Sequence, residues 1–569
     1  MYFDWQQQPF RRPPELDGQG VDHPVVIVGA GPVGLAMALA LSRFGIPSVV
    51  LEARDKFSDG SRAVGVHRRS TQFMDWLGIG DAFRDKALKR ECNIVYSGTQ
   101  QVYDMSYDQP VSEKHPLLVC LQQCWMEKLL HDGGLESGLV DVRWRSSVTA
   151  VADRGDGVAV TVETPEGSYI LRASYLVAAD GARGIVRRDL GLEYETPLDV
   201  DLSERRFIIN DFRMRSELTP GRRLWLSPPT RPGSIVIMHS QPFDIWRLDY
   251  AVEDDEDAEQ EATPEQAARR IHDHLAMMGV DAPWELVWTT TYRARARTLP
   301  GYRSGRIFFA GDAAHQTPIF GGRGLNLGYA DCFNLAWKLA FVLKGMAAAD
   351  LLDTYSPERR GIVVEALKDL AQSTLFMTRP SPGVALMRDA VLSLSLTEDF
   401  VSVLFDAYRA RRGESSDGAL AWRSGQPWPT DGGPAPGSPV PDARVRLSGR
   451  DMFLFDLFAP GLIGLLFLPA GEPLGEDAAL AELFEQRGLP FTGIAVAREA
   501  GSAPAPAPWR TVVDPSGEAF AAFGVERAGF YLLRPDLYVL GRWPAVDPAD
   551  IRRALGTLGA TAHRKGAAA

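Results

Sequence analysis

Apolar and polar positions along this chain follow two periods, and each change of period marks a new part. Pro24–Val28 is a short apolar run with a glycine cluster behind it. Val33–Phe44 then carries apolar residues at helical spacing until Gly45 and Pro47 end the pattern. Ser48–Leu51 is a second strand-like run, so the segment predicts strand, tight turn, helix, strand. From about Leu198 to Trp288 the period shortens. Ser234–His239 and Ile245–Val252 predict strands of an antiparallel sheet, interrupted by the acidic run Glu253–Glu261, which reads as a solvated loop or helix start. Near Arg306 the pattern of strand, glycine-rich turn and long helix (Tyr329–Lys344) returns, and Pro357–Arg412 continues as helix.

Ser424–Pro441 is dense in Pro and Gly and predicts a linker. Beyond it, Leu462–Leu468, Thr492–Val496 and Gly529–Leu533 predict strands between helical stretches, and Ala503–Pro508 a loop. The expected organisation is a polar lead (1–22), a discontinuous α/β unit (23–197 and 289–423) and an α+β unit with a mixed or antiparallel sheet (198–288). The linker (424–441) and a small C-terminal α/β domain (442–562) complete it.

Composition narrows the classes. At 569 residues the chain is too long for one core. A net charge of −12 turns the reading away from nucleic acid and from anionic membranes as main partners. The four cysteines, Cys92, Cys120, Cys124 and Cys332, form no C-x-x-C pair and have no histidine cluster beside them. Buried free thiols are expected, with neither a disulfide framework nor a metal site. The Met1–Asp22 lead has no apolar stretch of signal-peptide type. The most apolar window, Met452–Ala470, is broken by Asp456 and Pro460 and fits a buried strand. No membrane span is expected, and the cytoplasm is the expected location.

Chemistry enters with Gly29-x-Gly31-Pro32-Val33-Gly34, a G-x-G-x-x-G set between strand and helix. Gly29 allows the tight turn, Gly31 lets backbone approach a pyrophosphate, and Gly34 lets the helix pack on the strand, with Pro32 and Val33 opening the helix. Glu52 ends the second strand 18 residues beyond Gly34, where a carboxylate can accept from ribose hydroxyls and disfavours a 2′-phosphate. These residues alone fit FAD or NAD. A further strand-like run ends in Gly311-Asp312, and Gly321, Gly322 and Gly324 precede Leu325, Asn326 and a helix, which predicts a second ligand-contacting turn.

The stretch Gly305–Ala340 resembles the signature of the single-component flavoprotein aromatic hydroxylases. It is nearest to the 3-(3-hydroxyphenyl)propionate hydroxylases, with the polyketide and rifampicin hydroxylases slightly further off. Asp180-Gly181 through Arg187 is similar to the Asp-Gly motif that these enzymes carry for FAD and NAD(P)H, with Gly184 where Ser is usual. The resemblance implies a Rossmann-like FAD-binding domain with a substrate domain inserted in it, and FAD as cofactor. It also implies NADH or NADPH as co-substrate, O2, and hydroxylation of a phenolic aromatic through a flavin C4a-hydroperoxide, in the catabolism of aromatic compounds. Glu52 would hold the adenosine ribose, Arg62 the phosphates or ribityl, Gln123 the ribityl region, Asp180 the FAD and NAD(P)H, and Asp312 the ribityl or pyrophosphate. Leu325 and Asn326 would offer backbone groups to the flavin ring edge, and Gly322 and Gly324 belong to the same cofactor-binding turn. For Arg62 and Gln123 a surface ion pair and a helix cap are the alternatives. Arg323, where Gln is usual, offers a cation to a reduced flavin or faces solvent, and Ile319 replaces a common proline.

Candidates for a base that activates the phenol are His239 and Tyr292, although a core or surface role suits each, and His315 of the motif reads as structural. The C-terminal domain resembles the thioredoxin-like extension of some family members. It lacks cysteine, so dithiol chemistry is excluded and a structural or oligomerisation role remains, with a homodimer as the expected assembly. The rival readings are a flavin-dependent reductase or dehydrogenase on the same fold and a flavin-binding protein without catalysis.

Overall fold

The computed structural model describes residues 5–559 except 61, 107–112, 198–205, 254, 294, 319–320, 379–380, 396, 399–400, 402–417, 469–479 and 500–506. The strand Asp22–Val28 runs parallel to Gly167–Ala178 on one side and to Ser48–Leu51 on the other. Ser48–Leu51 continues to Val140–Arg143, and Gly167–Ala178 continues to Ile307–Phe309. Val25, Val26 and Ile27 are fully buried because helices cover such a parallel sheet on both faces, which explains their unbroken apolar run. The register aligns the carboxyl ends of four strands: Val28 pairs with Leu51 and Ala178, and Ala178 pairs with Phe309. Gly29, Glu52, Asp180 and Gly311-Asp312 therefore emerge along one edge.

The helix Pro32–Arg43 follows the first strand as the spacing predicts. The long helix starts earlier than predicted, at Arg323 rather than Tyr329. Of the glycines that suggested a turn, Gly324 lies within it, while Gly321 and Gly322 precede it. At Gly328 a Cβ would come within 2.7 Å of Val33 Cγ2 and 3.2 Å of Gly311 Cα, so a glycine lets this helix touch both motif turns.

The middle sheet has the order Trp284–Arg293, Arg206–Met214, Ile245–Ala251, Ile235–Ser240, Gly221–Leu226, Cys92–Ser97 and Gln100–Ser106. Its last two strands come from the chain before residue 198, so the sheet is wider than the segment 198–288 that suggested it. One face packs Phe212, Trp225, Met238 and Leu248 against Ile271 and Leu275 of the helix Pro264–Met277. The other face is turned to the nucleotide unit. The acidic run is less solvated than expected. Arg231 donates to Glu256 at 2.6 Å, and Arg270 donates to Glu256 and to the buried Glu261, both at 2.9 Å.

The helices Tyr355–Thr378 and Pro382–Leu394 lead to a seven-stranded C-terminal sheet. The end of the helical stretch expected up to Arg412 lies outside the described residues, as does most of the loop at Ala503–Pro508. The apolar window Met452–Ala470 supplies a turn, Leu454–Leu457, and a buried strand, Leu462–Phe467. The Pro/Gly-rich segment before the sheet is packed down, with the Trp428 ring edge-on to Tyr531 at 5.1 Å.

A buried knot of charges joins this domain to the nucleotide unit. Arg534 donates to Glu358 at 2.9 and 3.0 Å and through Nε to Asp536 at 2.9 Å. Lys338 donates to Glu358 at 2.8 Å, and Asn334 donates to both Glu358 and Asp536. Burial opposes the Glu358 charge, but Arg534 and Lys338 outweigh it and hold the carboxyl down at about 2. All four cysteines are free and buried. Among the described residues no helix is long and apolar enough to cross a membrane, and no cluster of His, Cys, Asp and Glu would hold a metal.

Candidate active site

The first turn is shaped for backbone to meet a ligand. Gly29 has φ +102°, and a Cβ there would lie 2.6 Å from Ala179 O; a Cβ on Gly34 would lie 1.9 Å from Gly29 O. At Gly31, between them, a Cβ would meet nothing within 4 Å. The helix behind it opens with no side chain capping its N-terminus, so its first N–H groups and positive dipole end remain for an anion. Glu52 is buried beside this turn. It accepts from Ala30 N at 2.8 Å and from Arg54 N and Nε at 2.9 Å each. Burial opposes its charge, but the Arg54 and Ala30 contacts hold its pKa below the usual range. A crevice of about 500 Å³, lined in part by Arg54, Arg145 and Glu163, opens next to it.

Two more carboxylates occupy the same edge. Asp180 Oδ2 accepts from Val186 N at 3.0 Å while the buried Oδ1 has no partner, and burial pushes the group up to about 6. Gly184 has a reason here: its Cβ would stand 2.1 Å from Asp180 Oδ1, in the space that the carboxylate fills. Asp312 is accessible to solvent, yet desolvation by the surrounding protein still raises its pKa against the pull of His315 and Arg62. Tyr194 donates to Asp312 O at 2.8 Å. His315 is fully buried, with Nε2 2.7 Å from Asp331 Oδ2; Asp331 also accepts from Gly311 N and Arg359 Nε. These contacts make His315 a strut under the Gly-Asp turn.

The long helix opens at Gly322, which has φ +57° and leaves the N–H groups of Arg323, Gly324 and Leu325 without helical partners. Asn326 ties this end down through its side chain: Oδ1 accepts from His67 N and Ser70 Oγ, and Nδ2 donates to Gly65 O and Gly322 O. Arg323 neither faces solvent freely nor stands alone; it reaches Asp369 at 3.4 Å. Gln123 donates to Glu127 at 2.9 Å, and Glu127 accepts from Ser58 N and Oγ. The Arg62 side chain is exposed, while its carbonyl accepts from Arg247 at 2.9 Å. Ile319 lies outside the described residues.

Opposite this edge stands the inner face of the middle sheet. Asn93, Arg222, His239, Arg247, Asp211 and Trp288 are successive partners across six strands and form one polar row. The next row reads Val95, Leu224, Ile237, Asp249, Ile209, Thr290, so Asp249 is its one charged member. Phe207, Ile235 and Leu226 extend the apolar part, which packs against Phe376 and Met377. Tyr292 stands at its margin and donates to Thr317 O at 2.7 Å. His239 Nδ1 is 3.1 Å from Arg90 Nη2. The sequence reading named His239 and Tyr292 but missed Arg90, Arg222, Arg247, Asp211 and Asp249. A signal was present: Arg247 and Asp249 alternate inside a strand whose seven residues are all buried.

Two uncapped helix ends, open space over Gly31 and an unpartnered Asp180 oxygen fit FAD, the cofactor that the motif resemblance implied. A family model described as FAD binding domain matches residues 22–369. The chain is 31% identical over 469 residues to 12-dehydrotetracycline 5-monooxygenase/anhydrotetracycline 6-monooxygenase of Streptomyces rimosus, covering 80% of this chain and 87% of that protein. It is 30% identical over 370 residues to a 3-(3-hydroxy-phenyl)propionate/3-hydroxycinnamic acid hydroxylase of Mycolicibacterium smegmatis, covering 65% and 64%. Among solved structures it is similar to aklavinone-11 hydroxylase in a ternary complex with FAD and aklavinone. The TM-score is 0.74 and the identity 25%, with 95% of this chain and 99% of that chain covered.

Proposed function

The chain belongs to the FAD-dependent aromatic hydroxylases, and from that membership we propose that it hydroxylates a phenolic ring with NADH or NADPH as electron donor and O2 as oxygen source. The observation that carries this reading is the placement of four motif turns at one sheet edge, opposite a sheet face where an arginine-rich row borders apolar rows. In it, Gly29, Gly31, Pro32, Val33 and Gly34 cradle the pyrophosphate of FAD and Glu52 holds the adenosine ribose. Asp180 and Asp312 serve its central part, and backbone groups of Leu325 and Asn326 serve the ring edge. Bound FAD supplies the redox and oxygen chemistry.

The protein's own residues supply dryness, orientation and charge. Phe207, Ile237 and Leu224 exclude water from the ring that is to be attacked. Arg222 and Arg247 favour negative charge on the phenol oxygen, which makes the ring electron-rich. Tyr292 donates a hydrogen bond from its hydroxyl to Thr317 O and so anchors the motif loop. The C-terminal domain is read as thioredoxin-like in form and structural in role, since it has no cysteine.

The similar proteins are named for substrates as different as anhydrotetracycline and 3-(3-hydroxyphenyl)propionate, so the test is a panel of phenols that includes both kinds. NAD(P)H oxidation by the FAD-loaded protein is followed with each, and products are weighed. One phenol should speed oxidation and gain one oxygen. Oxidation with no oxygenated product from any phenol would replace this reading with a flavin reductase or dehydrogenase.

A further inference from the structure

A phenol that is to be hydroxylated must give up its hydroxyl proton, and both side chains that the sequence suggested for this task are engaged. A guanidinium only donates, so Arg90 Nη2, 3.1 Å from His239 Nδ1, makes Nδ1 the acceptor and places the ring proton on Nε2. Burial, then Arg90, Arg222 and Arg247, hold the ring well below its ordinary pKa. His239 is thus a fixed, neutral donor. The Tyr292 hydroxyl is committed to Thr317 O at 2.7 Å.

Asp249 is the group left to take a proton. It is 3% exposed, and its Oδ1 has no hydrogen-bond partner. Its Oδ2 is 3.6 Å from His239 Nε2, and Oδ1 is 4.0 Å from Arg247 Nε, both beyond a good hydrogen bond. Arg247 gives its close contacts elsewhere: Nε and Nη2 to Asp211 at 2.8 Å each, and Nη1 to Arg62 O at 2.9 Å. Across the sheet Asp249 pairs with Ile209 and Ile237, so its carboxylate sits where the polar row meets the apolar rows, the place for a phenol's hydroxyl. The groups facing it are the neutral His239 on the adjoining strand and the charged Arg222 on the strand beyond, Arg247 on its own strand, and Asp211 on the strand at its other side. Burial dominates, Arg247 and Arg222 oppose it, Asp211 adds to it, and the result is a carboxyl pushed up to about 7.

We propose that Asp249 accepts the proton of the substrate's phenolic hydroxyl, with His239 Nε2–H facing the carboxylate that receives it; this rests on the hydroxylase reading above. The phenol O–H bond breaks, its electron pair stays on oxygen and raises the density of the ring, and the proton bonds to an Asp249 oxygen. No electron changes hands.

The test uses the full FAD-loaded chain and the phenol found to be hydroxylated, with kcat for product measured from about pH 5 to pH 9. The wild type should rise to a plateau through an apparent pKa near 7. D249N should keep the absorbance of bound FAD, lose the rising limb and fall roughly 100-fold. D249E should restore a limb at a shifted pH, and H239N should be slower but keep the limb. A D249N profile equal to wild type overturns the proposal alone. If D249N does not fold, a D249E limb at the wild-type position overturns it. If the wild type hydroxylates no phenol, the hydroxylase reading falls and Asp249's role falls with it.

Discussion

Gly31 and Gly34 stand three positions apart in one motif and answer to different partners. Gly34 faces protein: its Cβ would strike Gly29 O at 1.9 Å, so Gly34→Ala should cost roughly 1–3 kcal/mol of stability, read by urea denaturation of the cofactor-free protein. Gly31 faces open space, so Gly31→Val should leave that stability unchanged while weakening FAD binding by about 100-fold or more, read by quenching of flavin fluorescence. These positions were legible in the sequence because their spacing carries its own physical reason. Gly184 was legible only as a departure; its cause, the Asp180 carboxylate in its Cβ space, needs coordinates. The protonation of His239 was not legible at all, because Arg90, which sets it, lies 149 positions away in the chain.

Among elements, the strands and the helix Pro32–Arg43 follow from local periodicity, and Ser48–Leu51 and Gly529–Leu533 have the bounds that the pattern predicts. The start of the long helix did not, because Gly324 and Gly328 obey a tertiary demand for close approach that outweighs their poor helix propensity. The joining of Cys92–Ser106 to the middle sheet was equally hidden, since strand partners over such a distance leave no mark in either segment. Asn326 is the pin of the long helix, with bonds to Gly65, His67, Ser70 and Gly322. Asn326→Ala should destabilise the protein by about 2–3 kcal/mol in urea denaturation, and added FAD should recover part of the loss.

For the molecule as a whole, pH acts through two opposed sets of carboxyls. Asp180 at about 6, and Asp249 and Asp442 at about 7, are raised from 3.8 by burial. The folded state keeps protons there that the unfolded chain releases, so stability falls as pH climbs from about 4 to about 7. Glu358, at about 2 instead of 4.5, and Glu52, also lowered, act in reverse: what they contribute is present above about 4.5 and lost as pH falls below it. Thermal melts of the cofactor-free protein should therefore give the highest Tm near pH 4.5–5, with lower values on both sides. Arg534→Met, which leaves the two buried carboxylates Glu358 and Asp536 with Lys338 as the one cation of the knot, should cost about 3–5 kcal/mol and lower the Tm at neutral pH.

The same knot governs how chains of this kind can be recombined. Lys338 and Glu358 lie early in the chain and Arg534 and Asp536 late, so a gene crossover anywhere between them takes each half of the charge set from a different parent. Hybrids survive such a cut only when both parents carry matching halves. A crossover pair that encloses only Ile235–Ala251 leaves the knot whole and exchanges Arg247 and Asp249 together. The C-terminal domain thus behaves as a lock on inheritance, while the sheet that meets the substrate stays free to be traded.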